Sequence, residues 1–347
     1  MLMIGFRSFS AILLLAMVTT VAAADFRQWL ADFQTEAQQQ GISSSVLADA
    51  FTGVALLPKV IELDRHQPEG TMTFAEYLRR VLPLQRIGEA RRRYQENREL
   101  LERVATRYGV PARFLVAFWT IESDFGRNQG GFHVIPALAT LAYDGRRSTY
   151  FRQELLDALK VLQRGDVTAS RMVGSWAGAM GQAQFMPSVF LKYGIDEDGD
   201  GRRDIWGSRA DVFASAANYL KGIGWIEEQT WGREVRLPEG FDVNQLGLDT
   251  TRSLQDWFDQ DVQWADGAGQ TGHELPTLLA SLLRPGGAEG RVYAVYGNFH
   301  VIRKWNRSNY FATAVGLLAD EVAPPSATLP KVPPRTSDKP VRQGQPH

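Results

Sequence analysis

The stretch FLVAFWTIESDFG, Phe114 to Gly126, decides how the rest of the chain is read. From Phe114 to Ile121 only Thr120 is polar, and the run closes on one acid, Glu122. Residues 112 to 123 contain neither glycine nor proline, and Phe114, Leu115, Phe118, Trp119 and Glu122 recur at helical spacing. This predicts a helix buried on most sides, with Glu122 in its last turn facing a cleft lined by Phe118 and Trp119. Burial against aromatic rings and the negative end of the helix dipole both disfavour the carboxylate, raising its pKa toward the range of a general acid. The competing reading is a helix-terminal glutamate turned out to solvent at Ser123. Glycosidases normally use two carboxyls. Asp124 lies two positions on and points to another face. Chemistry at Glu122 therefore needs a distant partner or a mechanism served by one carboxyl.

A second segment, Gly174 to Pro187, reads GSWAGAMGQAQFMP. Its glycines let backbone approach a ligand closely, and Ser175, Gln182 and Gln184 supply neutral hydrogen-bonding groups suited to hydroxyl and acetamido substituents. A tight helix-packing turn is the plainer alternative. Further on, Asp196, Asp198 and Asp200 stand at positions 1, 3 and 5 of a calcium-loop pattern, with Gly201 at position 6 and the Arg202 carbonyl at 7. Three carboxylates within five residues repel one another unless a cation gathers them; a polar surface turn is the competing reading. The usual glutamate at position 12 is replaced by Gly207. Nothing in the loop looks reactive, so the expected ion is structural, calcium rather than magnesium.

The chain around these motifs has 347 residues, 44% apolar and 22% charged, a formal net charge of −1 and no cysteine. It is long enough for one large core or two domains, and its charge balance argues against nucleic acid as a partner. Residues 1–24 combine Arg7, an apolar run from Ala11 to Val21 interrupted by Thr19 and Thr20, and three alanines before Asp25, the pattern of a signal peptide. From Phe26 to Tyr108 the signals are helical. The last helix, GEARRRYQENRELLERVATRYG (88 to 109), is expected to stop at Gly109, with Arg91 to Arg93 on a solvated face. Leu155, Leu156, Leu159 and Leu162 mark the inward side of another helix, and Asp211 to Gly222 reads as a further one. Between Arg233 and Arg291 the pattern changes to short strands at Glu234 to Leu237, Gln263–Trp264 and Arg291 to Val295. Asn298 to Leu318 returns to helix, and the proline-rich residues 323–347 are expected to be a disordered tail.

In combination, ESDFGR (122 to 127), PALATLAYDGRRSTYFRQEL (136 to 155), GSWAGAMGQAQFMPSVF (174 to 190), DEDGDGRRDIW (196 to 206) and SAANYL (215 to 220) resemble the membrane-bound lytic murein transglycosylase B family. The likeness runs from about Tyr77 to Val322. It implies a mainly α (α+β) fold: a lysozyme-like catalytic core at 108–232 with an EF-hand-like loop, a helical N-terminal region at 25–107, a small β-containing insertion at 233–292, and a helical return at 293–322. It implies a lytic transglycosylase that cleaves the MurNAc-β-1,4-GlcNAc bond of peptidoglycan and leaves 1,6-anhydromuramyl ends. Glu122 would serve as acid and then base, with no organic cofactor. A hydrolytic muramidase and a noncatalytic peptidoglycan-binding protein are the alternatives.

The same resemblance assigns Tyr77, Ser175, Gln184, Met186, Tyr219, Trp305 and Asn306 to the glycan. Trp305 stands where family members often carry tyrosine, and Phe311 lacks a hydroxyl that the family has. Asp211 is the acid that would close the calcium loop with Asp196, Asp198, Asp200 and Arg202. Glycan strands are the expected partner and a cell-wall synthesis complex a further one. A monomer exported to the periplasm, with no lipid-bearing cysteine and no stable membrane anchor, is the expected state.

Overall fold

The computed structural model describes residues 25–66, 72–267 and 277–323. The signal peptide expected over 1–24 and, but for Ala323, the tail expected over 323–347 lie outside the described residues. Helix α1 occupies residues 25–39. It is followed by α2 (Ser44–Phe51) and α3 (Pro58–Arg65). Serine 43 caps α2 through its Oγ, and Pro58 opens α3 at a position where a missing N–H costs nothing. These helices lie against α8 (Val134–Asp144) and α9 (Ser148–Arg164). There Phe26, Trp29 and Phe33 pack on one another and Phe26 and Trp29 meet Tyr143.

Next come α4 (Phe74–Val81), opened by a Thr73/Glu76 capping box, α5 (Leu84–Glu96) and α6 (Arg98–Tyr108). The charged stretch 88–109, expected as one helix, is thus two. Asn97 leaves helical geometry at φ −113°, ψ 16°. Its Nδ2 donates to the Arg93 carbonyl (2.7 Å), and its Oδ1 accepts from Arg209 (2.9 Å). That buried amide ties the joint to the start of α11 (Arg209–Gly222). On the exposed side Arg91 pairs with Glu321, while Arg92 and Arg93 pair with Glu89 and Glu96, so the arginine run is a face of matched charges.

At the centre is α7 (Ala112–Ser123), in which every residue but Ile121 and Glu122 is buried. It is enclosed by α5, α6, α11 and α14 (Asn309–Val322). Burying Phe114, Leu115, Val116, Phe118 and Trp119 contributes about 1.5–3 kcal/mol each before chain entropy is subtracted. Even Arg113 is buried, paired with Asp320 of α14, which also accepts from Trp231 Nε1 (2.9 Å). One continuous apolar core links this helix with α1 to α3 at the far end.

Two small sheets complete the fold. Strands β1 (Phe132–His133) and β2 (Val173–Gly174) pair antiparallel, Phe132 opposite Gly174, and pin the start of the glycine-rich segment, which runs on to α10 (Pro187–Tyr193). The second sheet comprises β3 (Gly232–Arg236), β4 (Arg252–Ser253), β5 (Gln263–Trp264), β6 (Leu279–Leu283) and β7 (Val292–Val295), all antiparallel in the order β4-β6-β7-β3-β5, with α12 (Leu254–Phe258) beside it. Strands β6 and β7 are covered on both faces. Ala280, Leu282, Val292 and Ala294 join a small core with Trp257 and Trp264, whereas Leu283, Tyr293 and Val295 join the main one. The chain then returns through α13 (Gly297–Trp305), which ends at the pocket beside Glu122. Among the described residues no helix is long and apolar enough to cross a membrane.

Candidate active site

Glu122 lies on the last turn of α7, and α13 delivers Trp305 to it from across the fold. The indole Nε1–H donates to Glu122 Oε1 at 2.7 Å. An indole can donate and never accept, so the bond has one polarity. Its ring is fixed by Phe118 (centroids 4.3 Å apart), Tyr219 (5.1 Å) and Phe185 (5.3 Å). The pocket is lined by Leu115, Phe118, Trp119, Gln182, Ala183, Phe213 and Trp305 among others, and among the described residues Glu122 is the only acid lining it. Burial pushes the Glu122 carboxyl up to about 7, against the smaller opposing effect of the Trp305 bond. Tyr77 of α4 faces the same carboxyl. Burial first, and the Glu122 charge second, push its phenol up to about 12.

The glycine-rich segment forms the neighbouring wall. Gln182 is held by Trp119 Nε1 (2.7 Å) and donates to the Trp206 carbonyl (2.9 Å). Gly126 lies so near that a Cβ there would sit 2.4 Å from Gln182 Oε1, and its φ of 83° also calls for glycine. Gln184 adopts φ 48° and gives its amide N–H groups to the carbonyls of Gln129 (3.1 Å) and Gly181 (2.8 Å). Ser175 Oγ accepts from the Ala177 and Ala179 amides. Met186 is the half-buried residue before α10. Asn306 is exposed, its Oδ1 accepting from Ser308 N–H (3.0 Å). Of the residues expected to hold glycan, Tyr77, Tyr219 and Trp305 thus gather around Glu122. The side chains of Ser175, Gln184 and Asn306 hydrogen-bond to backbone.

The acidic loop leads into α11 on another side of the core. Carboxylate oxygens of Asp196, Asp198 and Asp211 lie within 4.8 Å of one another. Asp211 is fully buried and accepts from the amides of Glu197 (2.8 Å) and Asp204 (2.7 Å), drawing both ends of the loop onto α11. Asp196 accepts from Gly199 and Gly201, and Asp198 from Ser208 Oγ. Asp200 is exposed and stands outside this cluster, accepting from the Arg202 amide (2.8 Å). An all-oxygen donor set whose members repel one another fits a hard cation such as calcium.

A family model described as the transglycosylase SLT domain matches residues 25–320. The chain belongs to that family. It is 33% identical over 245 residues to the membrane-bound lytic murein transglycosylase B of Escherichia coli K12, a match covering 66% of the chain and 62% of that relative. The chain therefore spans a little under two thirds of that curated relative's length. Among solved structures, it is similar to SltB3 from Pseudomonas aeruginosa in complex with NAG-anhNAM-pentapeptide (TM-score 0.83, 46% identity, covering 86% of this chain and 79% of that one). It is also similar to the Escherichia coli lytic transglycosylase Slt35 in complex with calcium (TM-score 0.71, 27% identity, 87% and 93%). The mostly helical fold with small sheets agrees with these lysozyme-like neighbours.

Within this SLT-domain chain, sequence reasoning missed Tyr310. Its ring packs on Phe74 (5.1 Å) and Tyr77 (5.7 Å), while Phe311 is buried near Phe118. Adjacent aromatics on a helix point to different faces, so the Tyr310–Phe311 pair was itself a signal. Tyr193, 4.9 Å from Tyr219, extends the aromatic wall further and carried no motif of its own.

Proposed function

We propose that the chain cleaves the β-1,4 bond between N-acetylmuramic acid and N-acetylglucosamine in peptidoglycan and closes a 1,6-anhydro ring on the muramyl residue. The observation that carries this reading is Glu122: the one acid among the described residues that line its pocket, kept protonated to about pH 7, with a donor fixed on one oxygen. The protonated carboxyl gives its proton to the glycosidic oxygen as the bond from that oxygen to C1 breaks. The C6 hydroxyl of the same muramyl residue attacks C1, and the Glu122 carboxylate takes the hydroxyl proton. One bond to C1 breaks, another forms, and the carboxyl ends protonated as it began without consuming water. A second carboxylate has no task in this scheme, and the substrate's acetamido oxygen can ease the developing positive charge.

Family membership and the anhydromuramyl pentapeptide bound by the Pseudomonas relative support the substrate class. Trp305 holds Oε1 and leaves Oε2 for proton transfer. Tyr77, Tyr219 and Trp305 form the sugar-contacting rings, with Ser175, Gln184, Met186 and Asn306 positioning the strand. Asp196, Asp198 and Asp211, with Asp200 and the Arg202 carbonyl, would hold calcium, which supplies structural closure of the loop and no chemistry. The domain boundaries, the signal peptide, a periplasmic monomer and contact with a wall-synthesis complex belong to the same reading.

The test is mass analysis of muropeptides released from purified peptidoglycan by the protein and by Glu122→Gln. Anhydro products from the unsubstituted protein alone are expected. Products heavier by one water would make it a muramidase, and wall binding without release by either folded protein would make it a binding module.

A further inference from the structure

The turn that ends α7 is unusual in its backbone. Asp124 (φ 51°), Phe125 (φ 61°) and Gly126 (φ 83°) are three successive left-handed residues, two of them not glycine. Such a run persists where its surroundings hold it, and these outliers cluster at functional sites. Here the holder is a chain of ion pairs anchored at both ends on α5. Arg86 of α5 donates from Nε to Asp124 Oδ1 (3.1 Å). Arg127 donates from Nε to Asp124 Oδ2 (2.8 Å) and from its Nη atoms to Glu89 (2.8 and 3.2 Å). Glu89 lies on α5 three residues after Arg86, so both ends of the chain of pairs are held by one helix. Arg127 also stacks over Phe125, and Phe125 packs edge-on against Trp119.

Arg86 makes one further bond, from Nη1 to the carbonyl of Val81 (2.9 Å), the last residue of α4. Tyr77 sits one helical turn before Val81. Helix α4 buries only Phe74 of its eight residues, so discrete ties set its place: the Tyr310 ring at one side and Arg86 at its end. Both partners of the Arg86–Asp124 pair are 27% exposed, so the bond is largely shielded from competing water.

The geometry points to Arg86 as a positioning residue of the reaction, one guanidinium that fixes the Glu122 turn and the Tyr77 helix relative to each other. It touches neither Glu122 nor Tyr77 directly. It acts through Asp124, two residues past the acid, and through Val81, four residues past the phenol. Its planar fork does this with two divergent N–H groups, which a lysine ammonium on a flexible stem does not reproduce.

This inference rests on Glu122 being the acid, so Glu122→Gln is measured beside it. The experiment compares kcat and KM for peptidoglycan in Arg86→Ala, Arg86→Lys, Asp124→Asn and the Arg86→Ala/Asp124→Asn double variant, each with its thermal midpoint. Small misplacement of a reacting group lowers kcat, roughly tenfold here, with KM within about twofold. Arg86→Lys is expected to fall with Arg86→Ala, and the double variant to fall no further than the single ones. Wild-type kcat in a folded Arg86→Lys, multiplying losses in the double variant, or a loss carried by KM alone would overturn the assignment. So would failure of both Arg86 variants to fold, which would make the residue one of stability. An inactive unsubstituted protein or an active Glu122→Gln would instead sink the reading of Glu122, and the assignment with it.

Discussion

Glu122, half-buried with its carboxyl at the pocket, and Asp64, buried in the helical core, are carboxylates whose protonation moves in opposite directions. Asp64, 2% exposed, receives Arg146 (2.6 and 2.7 Å) and Arg147, and these hydrogen bonds hold its carboxyl below the usual aspartate range despite burial. Glu122 receives one neutral indole N–H, and burial prevails. Burial alone therefore does not make an acid. The number and charge of the donors decide whether a buried carboxylate is a structural anion or a proton source.

Replacing Glu122 by Gln should break the catalytic half of that contrast most severely, lowering turnover by roughly 10³-fold or more. The same change should stabilise the fold at alkaline pH. Because the folded pKa, about 7, lies above that of the unfolded chain, the folded state holds the proton longer. Stability is thus lost as pH rises between the two values and is recovered by Gln, by about 3 kcal/mol at pH 8. Denaturant melts of both proteins at pH 5 and pH 8 check the sign.

The Asp64 side should answer in reverse. Removing Arg146 and Arg147 together leaves a buried, unpaired anion and should cost about 3 kcal/mol near neutral pH. A depressed carboxyl contributes stability above its unfolded pKa and loses it as pH falls through the folded value. The difference between the double variant and the parent should accordingly shrink below about pH 4. A deficit unchanged by acid would mean that the arginines act through packing.

Trp305→Phe sharpens the comparison further, since it keeps a ring and deletes the donor. The Glu122 pKa should rise by about one unit, moving the alkaline limb of the kcat profile upward. An unmoved limb would show that the bond is not formed in solution. The smallest effect concerns the acidic loop, where chelation should lower the thermal midpoint by several degrees, on the order of a weakly saturated structural ion. No shift would remove the cation from Asp196, Asp198 and Asp211.

Much of this was legible in the sequence because α7 carries its own instructions. Its apolar run has one possible environment, and the helix spans Ala112–Ser123 where the spacing put it. Asp124 likewise turns away from the pocket, toward Arg86 and Arg127. Local pattern could not supply the partner of Glu122. Trp305 is 183 residues away, and only the packing of α13 on α11 and α7 brings it there. Strand β6 was missed for a different reason. Leu279–Leu283 is buried at every position but Leu279, so it lacks the polar–apolar alternation that Glu234 to Leu237 shows in the sequence. The break at Asn97 depends on Arg209 reaching it from α11, a contact invisible within the charged stretch itself.

The central claim is that the nucleophile belongs to the substrate, and digestion of peptidoglycan in heavy-oxygen water tests it most directly. Muramyl products are expected to carry the anhydro ring and no solvent oxygen at C1. Heavy oxygen at the muramyl C1 of the first-formed products would contradict it and make Glu122 the acid of a hydrolase.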